Sequence, residues 1–74
     1  MNMSKAIDQF LKDIQKMILR RQYNEKTMDK LMTMIAVAQL LAEKEKCDDS
    51  AKKLLHFSNV GLVLAQRLYA LKKN

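Results

Sequence analysis

The chain has no proline and a single glycine, Gly61. Those two residue types supply the reversals of β-hairpins and most tight turns, so a sequence nearly without them has few ways to build a sheet. Alanine, leucine, lysine, methionine and glutamine, all helix formers, take their place. The expected fold class is all-α: an antiparallel up-down-up three-helix bundle, with helices at about 4–21, 25–46 and 49–73, self-associating or completed by a partner helix. The whole of 1–74 reads as one helical domain without a linker, and a domain this short buries only ~60% of the surface its unfolded chain exposes.

The first helix carries Ile7, Phe10, Leu11, Ile14, Met17 and Ile18 at three-four spacing, which makes one apolar stripe, with Lys5, Gln9, Lys12, Asp13, Lys16 and Arg20 opposite. Ser4 is a candidate N-cap, and Asp8 stands near the positive end of the helix dipole. Gln22–Glu25 reads as a break, because Asn24 can either end one helix in a left-handed conformation or cap the next. Lacking glycine and proline there, the alternative is one continuous rod.

In the second helix, Leu31 to Ala42 reads LMTMIAVAQLLA, too greasy for a surface helix with a single buried stripe. Met28, Leu31, Met32, Ile35, Ala38 and Ala42 form the stripe, while Met34, Val37, Leu40 and Leu41 fall outside it. A helix apolar most of the way round is expected to be buried on several sides, here between the first and third helices, with Met17, Met28, Met32 and Met34 as adaptable fillers. Charges at Asp29, Lys30, Glu43 and Lys44 bound the run below the ~20 residues that a membrane span needs.

Asp48, Asp49 and Ser50 offer caps for the third helix. Its main stripe is Ala51, Leu54, Leu55, Ser58, Leu62, Ala65, Leu68 and Tyr69, with a second at Phe57, Val60, Leu64 and Leu71. Glycine inside a helix costs about 1 kcal/mol relative to alanine. Gly61, with Ser58 and Ala65 at helical spacing, therefore marks a low patch where another backbone approaches, from this chain or a second copy. Three helices in a triangle each need one stripe of a little over 100°. The surplus, a candidate partner-binding face, comprises Met34, Val37, Leu41, Phe57, Val60, Gly61, Leu64 and Leu71.

The net charge of +6 is unevenly placed. In an up-down-up arrangement one pole collects Arg20, Arg21, Lys26, Lys30, Arg67, Lys72 and Lys73 against Glu25 and Asp29, seven against two. Lys5, Lys44, Lys46, Lys52 and Lys53 at the other pole are cancelled by Asp8, Glu43, Glu45, Asp48 and Asp49. Cations at helix C-termini offset the dipole, which accounts for Arg20, Arg21, Lys72 and Lys73 alone. The remaining excess favours an acidic partner: a protein patch first, then an anionic membrane surface or nucleic acid.

Chemistry is poorly provided for. The one cysteine, Cys47, and the one histidine, His56, lie nine positions apart, which assembles no nucleophile with its base, and a single cysteine forms no internal disulfide. Neither a metal-ligand cluster nor a phosphate-cradling glycine loop is present, so no cofactor or small-molecule substrate is expected. The chain reads as a non-enzymatic, cytoplasmic protein-interaction module of adaptor, chaperone or inhibitor type, binding a protein partner or forming a homo-oligomer. The alternatives are a charge-driven binder of nucleic acid or anionic membrane through the basic pole, and a bacteriocin-immunity-type role that matches only in size and class.

Overall fold

In a computed structural model, which describes residues 3–44 and 49–72, every regular element is a helix. They are α1 (Met3–Leu19), α2 (Glu25–Lys44) and α3 (Asp49–Lys72). α1 begins at Met3, so Ser4 lies inside the helix rather than capping it. Of the expected caps for α3, Asp49 and Ser50 are its first residues, while Asp48 lies outside the described residues, as does Cys47.

The break between α1 and α2 has two signals, only one of them visible in the residue types. Arg21 N–H donates to the Ile18 carbonyl at 3.1 Å and Gln22 N–H to the Met17 carbonyl at 2.9 Å. These paired bonds are the Schellman closure of a helix C-terminus, which normally places glycine in the left-handed conformation. Here that residue is Arg21, with φ 55°. Asn24 does the other job: its Oδ1 accepts from Thr27 N–H at 3.1 Å, capping α2.

α2 buries Met28, Leu31, Ile35, Ala38 and Ala42, a strict three-four alternation. Along α3 the matching positions are Ala51, Ser58, Gly61, Ala65 and Leu68. Lys72 Nζ approaches Glu25 Oε1 at 3.9 Å, and Gln39 Nε2 donates to Ser58 Oγ at 3.0 Å. Gln39 lies fourteen residues after Glu25, and Ser58 fourteen before Lys72, so the two helices run in opposite directions along a common seam. Fourteen residues are close to four turns, which returns each helix to the same face. Small side chains on α3 let α2 come close: a Cβ on Gly61 would stand 2.9 Å from Ile35 Cγ1 and 3.6 Å from Leu31 Cδ1. The groups that meet Gly61 are thus side chains of α2 in the same chain, Ile35 and Leu31.

α2 is not the middle helix. α1 seats mainly on α3, and α3 is the element that both others share. α3 can do this because it has two apolar sectors: the small-residue seam for α2, and beside it Phe57 and Leu64, both buried, with Leu71 half-buried. Ile14 of α1 joins Met28, Leu31, Ile35, Leu64, Ala65 and Leu68 in one core, against which Phe10, Leu11, Met17, Ile18, Tyr23, Val60, Leu62 and Leu71 pack. Ile14, Leu31 and Leu68 are completely buried. The outer face of α2 is left uncovered: Met32, Val37, Leu40 and Leu41 are exposed, contrary to the expectation that this helix is enclosed. Leu55 and Tyr69, on the expected main stripe of α3, are also exposed.

A closed triangle of helices ~9 Å apart, each with Cα atoms on a radius of ~2.3 Å, measures roughly 14 Å across. The observed cross-section is 24 × 16 Å. Helices that cross at ordinary packing angles, with their turns, occupy a wider cross-section than this parallel minimum.

Candidate functional site

One cleft takes its lining from all three helices. Ile7 and Leu11 of α1 form one wall, Met34, Val37 and Leu41 of α2 the other, and Leu54, Phe57 and Val60 of α3 the floor. Asp8, Lys52, Lys53 and His56 reach its rim. At the far end the cleft is shut by the core around Ile14, and Lys30 Nζ sits 4.8 Å from the centroid of the Phe10 ring, a cation–π contact joining α2 to α1.

The sequence periodicities account for this shape. Along α1, Ile7 and Leu11 continue the stripe of Ile14 and Ile18, so all four turn toward α3. Near Ile14 the opposing side chains on α2 are Met28, Leu31 and Ile35, long enough to meet α1 across the gap. Farther along, the buried positions of α2 are Ala38 and Ala42, and Ala38 also lines the cleft.

A shallower depression continues around α2, lined by Val37, Leu40, Leu41, Glu43 and Lys44. Leu40 is 65% exposed and forms a ridge beside the wall of the cleft. Ridge and groove are therefore neighbours on one helix.

The candidate partner-binding residues divide in two. Met34, Val37, Leu41 and Val60 line the cleft with Phe57, which is buried as its floor. Gly61 and Leu64 are interior, spent on α2 and on the core, and half-buried Leu71 packs against that core. The free face is narrower than the periodicity suggests, because α1 covers the part of α3 around Leu64. Leu54 and, on α1, Ile7 and Leu11 are half-buried and line the cleft as well; Leu11 and Val60 also pack against the core, as the stripe of α1 led one to expect for Leu11. Leu40 and Met32 enlarge the apolar surface of α2.

The basic pole is also divided. Lys72 Nζ lies beside Glu25 and at 5.6 Å and 5.9 Å from the ring centroids of Tyr23 and Tyr69, which brings the end of α3 to the start of α2. Lys30 is engaged with Phe10. Arg20, Arg21, Lys26 and Arg67 are exposed, and Lys73 lies outside the described residues.

Among the described residues no three His, Cys, Asp or Glu side chains converge as a metal site, and no helix is long and apolar enough to cross a membrane. His56 is exposed at the cleft rim, with no nucleophile among the residues lining it beyond Ser50 and Thr33. No protein-family model, curated protein or solved structure matches the chain.

Proposed function

We propose that the protein is a small interaction module that associates through the cleft and the adjoining ridge of α2, with a second copy of itself as the occupant. The chain on this reading is an up-down-up bundle left open on one side, and association completes it. The observation that carries the reading is the juxtaposition of an apolar groove with the exposed Leu40 ridge. A two-fold contact is isologous, so each copy must offer the same self-complementary patch. A ridge beside a groove is such a patch: Leu40 of each copy enters the cleft of the other.

Charge supports the same pairing. Two chains of +6 repel, but the excess is concentrated near Arg20, Arg21, Lys26 and Arg67. Around the open end the opposite charges balance, so the copies meet where the repulsion is weakest. A reducing, cytoplasmic setting suits the single cysteine of such a module.

Lysine-directed cross-linking at micromolar concentration tests this, with Leu40→Lys as the comparison. A cross-linked dimer that the substitution removes, with helix content unchanged, is the expected outcome. A cross-linked yield unaffected by Leu40→Lys would exclude this surface as the contact.

A further inference from the structure

We infer that the outer flank of α1, near its C-terminus, docks the protein on an anionic lipid surface. The flank is centred on Leu19, which at 82% exposure is the most exposed large apolar side chain among the described residues and belongs neither to the α1 stripe nor to the cleft. Helical spacing sets Lys16 three positions before it and Lys12 seven before it on the same face, while Arg20 and Arg21 follow directly. All four cations are exposed. Asp13, three positions before Lys16 and seven before Arg20, is the one acidic residue on this flank and its Oδ1 accepts from Gln9 Nε2; from there to Glu25 the chain has no acidic residue, so the four cations outnumber the one acid.

A single exposed leucine is ordinary on a protein surface, and cations at a helix C-terminus offset its dipole. Two features go beyond that. Arg21 occupies the left-handed position of the Schellman turn, where glycine is the unstrained choice, so a charge is kept at a conformational cost. The apolar side chain also stands within the cationic cluster rather than apart from it.

The combination selects among anionic partners. A phosphate backbone is met by cations and by rings that stack on bases, and a leucine adds nothing there. At a leaflet of acidic phospholipid the lysines and arginines neutralise headgroups while the leucine enters the acyl boundary. Tyr23, half-buried just beyond, is of the amphipathic type enriched at that depth. Around α1, at about 100° per residue, the cleft-lining Leu11 and Ile7 stand about 80° and 120° from Leu19, so self-association and lipid docking use adjoining but separate surfaces.

Sedimentation with phosphatidylglycerol–phosphatidylcholine vesicles tests the inference, with vesicles of phosphatidylcholine alone and a short DNA duplex as parallel arms. The wild-type chain should sediment with the acidic vesicles, remain free of the neutral ones, and be released by salt. Arg20→Gln with Arg21→Gln should weaken binding roughly twentyfold, at about fivefold per cation. Leu19→Gln should weaken vesicle binding roughly tenfold and leave any DNA binding untouched, since only a membrane rewards the apolar side chain. Circular dichroism checks that each variant keeps its helix content. Failure of the wild type to bind acidic vesicles, or undiminished vesicle binding by Leu19→Gln, would overturn the inference; DNA binding without vesicle binding would assign the cations to nucleic acid instead.

Discussion

Ile35 and Gly61 meet across the seam of α2 and α3, with Ile35 Cγ1 2.9 Å from the point where a Cβ on Gly61 would stand. Real Cβ atoms essentially never come so close to another atom, so a methyl group at this position must displace its neighbour. Ile35 cannot yield easily, because a β-branched side chain in a helix is held to one χ1 rotamer. Gly61→Ala gains about 1 kcal/mol of helix propensity but overpacks the seam by roughly 1–3 kcal/mol. The net expectation is a loss of about 1 kcal/mol, seen as a lower midpoint in thermal or urea unfolding at fixed protein concentration. In an Ile35→Ala background the same substitution should be neutral or stabilising. A wild-type background stabilised by Gly61→Ala would show that the helices are farther apart.

Arg21 makes the opposite prediction. A left-handed residue with a side chain costs roughly 1–2 kcal/mol, of which glycine recovers all but its own larger conformational entropy in the unfolded chain. Arg21→Gly should therefore raise stability by about 0.5–1 kcal/mol, or several degrees in Tm for a chain of this size. The same variant should bind acidic vesicles less tightly, so stability and lipid affinity move in opposite directions. Arg21→Ala has no such relief and should leave Tm nearly unchanged.

The N-terminus of α2 depends on Asn24, whose side chain caps Thr27 N–H. Asn24→Ala should cost about 1 kcal/mol. Asn24→Asp keeps the acceptor and adds a negative charge at the positive end of the dipole, so it should match or exceed the wild type. Equal losses in both variants would assign the effect to something other than the cap.

Ser58 is 1% exposed and takes its side-chain hydrogen bond from the exposed Gln39. The two ends of this bond are therefore unequal. Gln39→Ala leaves a buried hydroxyl without that donor and should cost about 1–2 kcal/mol, whereas Ser58→Ala removes the buried group and lets Gln39 return to water, at a cost below about 1 kcal/mol. The double variant should be no less stable than Ser58→Ala alone, which a double-mutant cycle measures directly.

The buried face of α2 was largely legible in the sequence, since Met28, Leu31, Ile35, Ala38 and Ala42 of the expected stripe are buried, although Met32 of the same stripe is exposed and the expected burial on several sides is not observed. α3 was harder. Apolar residues lie on both sides of its small-residue seam, and periodicity gives the direction of a side chain but not what stands opposite it. Leu64 and Phe57 were therefore read as surplus and proved to be buried, while Leu55 and Tyr69 were read as core and are exposed. Which flank α1 covers depends on the turn between α1 and α2, and its left-handed residue is an arginine, a type that carries no turn signal. The cleft was invisible for a related reason: periodicity says which way a side chain points, not whether a groove lies between the helices it faces. The uneven charge was readable by counting, although the engagement of Lys30 and Lys72 within the protomer was not.

Sedimentation equilibrium of the purified chain from low to high micromolar concentration tests the proposed association most directly. The protomer has a mass of 8.6 kDa. The expected result is a mass rising toward twice that value, with Val37→Lys and Leu41→Lys together returning the protein to the protomer mass while its helix content is retained. A wild-type chain that stays at the protomer mass throughout, and binds no hydrophobic dye, would contradict the use of this cleft as a contact surface.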